Sequence, residues 1–183
     1  MAEEEGELRT IVARAARHDP DAWEALYRRA YPTLFAYARR RLGSDADADD
    51  AVSEAMVRAM DRIGSFRWQG AGVHAWLVGI LRNVVLEGHR RAGRTLPTDD
   101  VPPASVPGPL DRLVDDVDHA QVRAAFGRLD PAERELLELR VVVGLSAEAT
   151  GTVLGRREGA VRMGQSRALR RLRTFYAEVS DAV

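Results

Sequence analysis

A chain of 183 residues with 45% hydrophobic and 30% charged side chains can build one ordinary domain or two small ones, and its composition excludes the disordered and collagen-like classes. The absence of cysteine excludes a disulfide framework, thiolate zinc or iron–sulfur ligation and a cysteine nucleophile. The net charge of −1 conceals a sorting along the chain, with 15 arginines against 14 acids in residues 1–94, 1 against 6 in 95–118 and 11 against 8 in 119–183. All 27 basic residues are arginine. The start, Met1-Ala2-Glu3-Glu4-Glu5, is acidic where a secretory signal is basic and then apolar. No apolar run approaches the ~20 residues of a membrane span. A cytoplasmic location without membrane insertion is therefore expected.

Apolar residues return at intervals of three and four, and no alternating stretch is long enough for a strand, so both halves are read as helical. Asp19-Pro20 supplies an N-cap and a proline at the first helical position of a helix through Trp23, Leu26, Tyr27, Leu34 and Tyr37 toward Gly43, kinked or broken at Pro32. The next helix begins among Asp45, Asp47, Asp49 and Asp50, acids suited to the positive end of the helix dipole. It turns Ala51, Val52, Ala55, Met56, Ala59 and Ile63 inward and Asp49, Asp50, Glu54, Arg58 and Asp61 outward. A glycine-containing loop from Gly64 to Gly72 holds Trp68, the aromatic expected to be exposed. The third helix follows, with Trp76, Leu77, Ile80, Leu81, Val84 and Val85 as its buried stripe and a basic end, residues 82–94 carrying four arginines against Glu87.

Residues 95–109 hold five of the eight prolines and almost no large apolar side chain. Such a stretch neither continues a helix nor builds a core, and it reads as an extended acidic linker over 95–115 between domains at 1–94 and 116–183. Beyond it, Asp130-Pro131-Ala132-Glu133 has the form of a capping box. The apolar stripe Leu136, Leu137, Leu139 and Val141 to Val143 runs to Gly144. Ser146 caps a short helix closed by Gly155, and a last helix runs from Ala160 to about Tyr176. Two helices about a tight glycine turn, the second basic, have the spacing of a helix-turn-helix. On the last helix Val161, Gln165, Ala168, Leu169, Leu172 and Phe175 share one side, leaving Arg162, Met163, Ser166, Arg167, Arg170 and Arg173 on the other. Residues 156–173 contain seven arginines and one acid. That density suits a helix facing phosphates or guanine edges, and charge alone does not separate this from a solvated face.

Five motifs in register carry a family resemblance: Asp47-Ala48-Asp49-Asp50-Ala51-Val52-Ser53-Glu54-Ala55-Met56; the landmarks Phe66-Arg67, Trp76-Leu77 and Arg82-Asn83; Leu129-Asp130-Pro131-Ala132-Glu133-Arg134; Gly144-Leu145-Ser146; and Gly159-Ala160-Val161-Arg162 through Ser166-Arg167-Ala168 to Leu172. In these the chain, from about Asp19 to Leu172, resembles a bacterial RNA polymerase sigma factor of the extracytoplasmic-function type, within the sigma-70 family. The resemblance implies binding to core RNA polymerase through Asp47, Asp49, Asp50, Glu54 and Arg58. It implies recognition of the minus-ten element of promoter DNA through Trp68, Asn83, Glu87, His89, Arg90 and Arg91, where a carboxamide can read a Watson–Crick edge. It also implies minus-thirty-five recognition with Arg162, Met163, Ser166 and Arg167 near base edges and Arg140, Arg156, Arg170 and Arg171 near phosphates. An anti-sigma factor clamped by the two domains is a further implied partner. The chain departs from the family pattern at Ser53, Met56, Thr150, Gly151, Ala160, Met163 and Gly164.

An enzyme is the rival class. His18, His74, His89 and His119 are scattered without ligand spacing, the acids form no paired constellation, and Gly70-Ala71-Gly72 lacks the lysine and hydroxyl of a phosphate loop. Neither a catalytic group nor a metal or cofactor is expected. A helix-turn-helix regulator acting without core polymerase is the remaining alternative, though Arg170, Arg171 and Arg173 interrupt any dimerisation seam along the later turns of the last helix.

Overall fold

A computed structural model describes the backbone of residues 2–68, 71–91, 93 and 116–181, with side chains from Glu5 in the first of these segments and from Ala120 in the last. The linker expected over 95–115 lies outside the described residues. The chain divides into two units, Met1–Thr95 and Leu96–Val183, and every regular element among the described residues is helical.

The first unit holds α1 (Ala2–Ala15), α2 (Pro20–Leu42), α3 (Asp45–Arg62), a 3-10 turn (Ile63–Ser65) and α4 (Gly72–Arg91). Helix α1 was not among the expected elements, because its acidic first turns carry few apolar residues. It forms because Ile11, Val12 and Ala15 bury against α2, and tertiary packing outweighs weak local signals in short helices. One carboxylate makes the corner between α1 and α2. Asp19 accepts from the backbone N–H of Asp21 (3.1 Å) and Ala22 (3.2 Å), and from Arg14 Nε at 2.7 Å. The Arg14 guanidinium, with the Ala22 amide, holds the Asp19 carboxyl below its usual range. The indole of buried Trp23 donates to the Ala15 carbonyl at 3.0 Å, closing the same corner from inside.

Helix α2 runs unbroken past Pro32, which corrects the expected break. The proline removes one backbone hydrogen bond on an exposed side, while buried Ala30, Leu34 and Tyr37 keep both flanks seated on the core. The helix stops at Gly43, whose φ of 75° is a left-handed conformation that glycine tolerates and whose N–H bonds the Arg39 carbonyl. Ser44 then caps α3. Helices α2, α3 and α4 pack on one another, and α3 offers its neighbours Ala48, Ala51, Ala55 and Ala59, small residues that permit close approach. Trp76 is half-buried rather than core. Its ring lies 5.2 Å from Phe66, which in turn meets Trp68 edge-on at 5.4 Å.

The second unit holds α5 (Asp116–Gly127), α6 (Pro131–Leu137), a π-helical turn (Glu138–Val142), α7 (Ala147–Leu154) and α8 (Glu158–Ser180). Helices α5, α6 and α7 all pack against α8. Leu129, Leu136, Leu137 and Ala168 form the core there, flanked by Phe126, Leu154, Leu169, Leu172 and Phe175. Helix α6 begins at Pro131 as expected, but the capping box does not form, since Asp130 makes no side-chain cap and gives its carboxylate to Arg171 at 2.7 Å. The stripe expected to run through Val143 ends early. Between Glu138 and Val143 the backbone bonds over five residues (2.9 Å), and the extra residue in the turn rotates the positions after it. Glu138 and Leu139 are consequently buried while Val141 and Val142 face solvent. Helix α8 starts two residues before Ala160 and continues to Ser180.

Two unusual glycines of this unit have distinct spatial roles. A Cβ at Gly151 would sit 2.5 Å from the Arg156 carbonyl oxygen, a backbone atom, whereas a Cβ at Gly164 would meet only Leu136 Cδ1, at 2.9 Å. The Arg156 N–H also bonds the Gly151 carbonyl at 2.8 Å, so the α7–α8 turn folds directly over position 151. Gly151→Ala is expected to destabilise the chain by about 1–3 kcal/mol through overpacking, read as a lower urea midpoint, and an unchanged midpoint would refute the close approach.

His74, half-buried on α4, has its imidazole pushed below the usual range by burial and, secondarily, by the Arg29 charge. The folded state therefore favours the neutral ring, while the unfolded chain takes up a proton below about pH 6.5. Stability is full above that pH and falls as pH drops from there toward the lowered folded value. Urea midpoints at pH 7.5 and 5.5 should differ in this sense, and His74→Gln should narrow the difference.

Candidate nucleic-acid interface

Helix α8 is anchored by Val161 and Ala168, both fully buried, and so turns Arg162, Met163, Ser166, Arg167, Arg170 and Arg173 to solvent. Met163 is 63% exposed, an apolar side chain held outward within the basic surface. Arg156, Arg157, Arg167, Arg170 and Arg173 are exposed, and their guanidinium groups have no hydrogen-bond or ion-pair partner among the described residues. Arg162 pairs one turn back with Glu158 (Nε to Oε1 3.0 Å) on the open surface. A pair so exposed is worth little and opens readily.

Two arginines expected near phosphates are committed elsewhere. Arg140 donates from Nε to Gln165 Oε1 at 2.8 Å and from Nη1 to the Leu145 carbonyl, tying the π-helical turn to α8. Arg171 binds Asp130 at 2.7 Å and Glu133 at 3.1 Å, with Phe175 beneath its guanidinium at 5.7 Å. Both belong to the scaffold because acceptors on α6, on α8 and in the loop before α7 come within their reach, a long-range proximity that local spacing does not report.

In the first unit Asp47, Asp49, Asp50 and Glu54 are exposed along α3. Asp49 accepts from the Tyr31 hydroxyl of α2, and this bond pushes the phenol up to about 12. Val57 and Met60 stand beside the acids at 58% and 41% exposure. Neither was among the expected contact residues, although both lie in outward phase on α3. Arg58 is largely covered and salt-bridges Glu54 (2.9 Å) and Glu87 of α4 (2.8 Å).

Of the α4 candidates, Asn83, Arg90 and Arg91 are exposed and share a face with Glu87. Arg90 Nε reaches the Leu86 carbonyl at 3.3 Å, and Arg91 lies 3.9 Å from Glu87. Glu87 is held below the usual carboxylate range by the Arg58 hydrogen bond. His89 is buried, at 8% exposure, because it continues the inward row Leu81, Val85 at intervals of four, and its expected placement at the DNA surface is corrected. Trp68 is also less open than expected, half-buried with the Arg9 guanidinium 4.8 Å above its ring. Arg9 had no signal in the sequence, since it comes from the unexpected α1.

Residues 26–95 match the family model of sigma-70 region 2, and residues 125–174 match that of sigma-70 region 4. Over 182 residues the chain is 34% identical to the ECF RNA polymerase sigma factor SigD of Mycobacterium tuberculosis, covering 95% of this chain and 86% of that protein. The chain belongs to the ECF RNA polymerase sigma factors. It is also 35% identical over 170 residues to the ECF sigma factor BldN of Streptomyces coelicolor, spanning 88% of this chain but only 63% of BldN. The solved structure of CnrH in complex with the cytosolic domain of CnrY superimposes with a TM-score of 0.67 at 26% identity, covering 95% and 97% of the two chains. A sigma factor RpoE, in complex with the anti-sigma factor NepR from Bartonella quintana, shares the fold with a TM-score of 0.62 at 24% identity, covering 83% and 94%.

In this sigma factor the region 4 arginines therefore divide into scaffold and surface. Arg140→Ala removes bonds to a side chain and a carbonyl and is expected to cost about 1–2 kcal/mol of stability. Arg170→Ala, which loses no partner, should stay within about 0.5 kcal/mol of the parent chain. Thermal unfolding of the two variants checks the division, and equal losses would contradict it.

Proposed function

We propose that the chain is an alternative sigma factor that binds core RNA polymerase and directs it to particular promoters. The observation that carries this reading is the presence of region 2 and region 4 in one chain, in that order. A regulator acting on duplex DNA alone needs only the second. In this reading the unit at 1–94 docks on polymerase through Asp47, Asp49, Asp50 and Glu54 and presents Asn83, Arg90 and Arg91 to the minus-ten element. The unit at 116–183 sets α8 in the major groove at the minus-thirty-five element, and residues 95–115 tether the two.

The assignment of surfaces follows from charge. An acidic helix face steers a basic partner helix and sets its register. The arginine face of α8 matches the phosphate backbone, with Arg162 and Arg167 in position to fork onto guanine edges and Ser166 and Met163 close to the bases. No bond is made or broken by this chain in such a complex. Nucleotide addition is the polymerase's reaction, and the sigma factor supplies location and strand recognition. An anti-sigma factor is the natural antagonist, competing for the same surfaces in the cytoplasm.

Pull-down with core polymerase followed by run-off transcription tests the reading. A stable holoenzyme that initiates from a cognate promoter supports it, and duplex binding without any affinity for core polymerase rejects it in favour of the lone regulator. Within an active holoenzyme, Arg167→Ala and Arg170→Ala should each weaken promoter binding. Arg170→Ala should also reduce the magnitude of the salt slope by about 1, for the phosphate left without its arginine, whereas Arg167→Ala should relax the base preference at the position it reads.

A further inference from the structure

Arg58 and Glu87 come from opposite expectations, one toward polymerase and the other toward promoter DNA, yet they meet. Arg58 Nη2 lies 2.8 Å from Glu87 Oε2, and Nε of the same guanidinium donates to Glu54 Oε1 at 2.9 Å. The Arg58 side chain is 21% exposed where Glu54 is 51% exposed, so the acid and not the arginine is the group presented outward. Glu87 shares a face of α4 with Asn83, Arg90 and Arg91, and a free carboxylate there would repel the phosphates those arginines attract. Two acids hold Arg58 more firmly charged than usual.

We propose that Arg58 is a positioning residue, which ties Glu87 on α4 to Glu54 on α3, neutralises Glu87, and aligns the Asn83–Arg91 face with the acidic face of α3. Neither Arg58 nor Glu87 is then a contact for polymerase or DNA. Glu54 is the exposed end of the relay. This inference rests on the proposed function, with α3 toward polymerase and α4 toward the promoter.

The test uses the full chain reconstituted with core polymerase, comparing Arg58→Glu, Glu87→Arg and the double swap, each with its thermal melt. Each single variant should keep core affinity within about twofold and lose about tenfold in run-off product per holoenzyme, and the double swap should recover most of that loss, the mark of a direct pair. Loss of core affinity in Arg58→Glu without recovery in the double swap would make Arg58 a polymerase contact and overturn the inference. So would a promoter defect in Glu87→Arg indifferent to residue 58. If a single reversal fails to fold, Glu87→Gln serves instead: product per holoenzyme should fall, and an unchanged or higher yield would overturn the proposal. A parent chain that never binds core polymerase overturns the proposed function itself, and the inference with it. That outcome is recognised before any variant is compared.

Discussion

One helix must satisfy two incompatible demands. Helix α8 is the surface on which α5, α6 and α7 all assemble, so half of its circumference is obliged to be apolar, and the other half carries arginines that would be ruinous in a core. The spacing of Val161, Ala168, Leu172 and Phe175 resolves the conflict, because it leaves Arg162, Arg167, Arg170 and Arg173 no direction but outward. The basic surface of the second unit is thus a consequence of how its core is built. Whatever the unit binds, it binds with residues whose orientation was decided by folding.

The first unit solves a different problem, that of offering two polar surfaces from one small bundle. Its interior is built from alanines on α3, from Leu26, Leu34 and Tyr37 on α2, and from aliphatic side chains with His89 on α4. The acids of α3 and the basic end of α4 are then free to serve outside. Arg58 and its two acids link these two surfaces, and the Tyr31 hydroxyl adds a bond to Asp49. Ion pairs at the margin of a bundle add modest stability. Their value lies in orienting side chains and in setting which charges a partner meets.

The helical class and the helix starts at Pro20 and Pro131 were legible in the sequence, as was the helix-turn-helix, because caps, prolines and a period near 3.6 are local properties of the chain. Helix α1 was not legible, since its apolar residues are sparse and its existence depends on the groove of α2. The exposure of Val141 and Val142 was likewise hidden: a π-helical turn shifts phase by one residue, and nothing in an apolar run announces the shift. His89 was misplaced because a titratable residue near arginines looks like surface until its register with Leu81 and Val85 is followed. Gly151, an apparent weakness in a helix, became intelligible only when the Arg156 carbonyl was seen to fold over it.

Among the arginines the separation is sharpest. Composition and periodicity by themselves determined that the last helix has a basic side and that the chain has an acidic helix before a basic one, because both follow from residue order and helical geometry. Which guanidinium is free and which is bound was decided by tertiary structure alone. Arg140 and Arg170 are equivalent as letters, but one is within reach of Gln165 and the Leu145 carbonyl and the other of solvent. An ion pair or hydrogen bond needs its acceptor within about 3 Å, and residues 25 or 41 positions apart come that close only when the chain has folded.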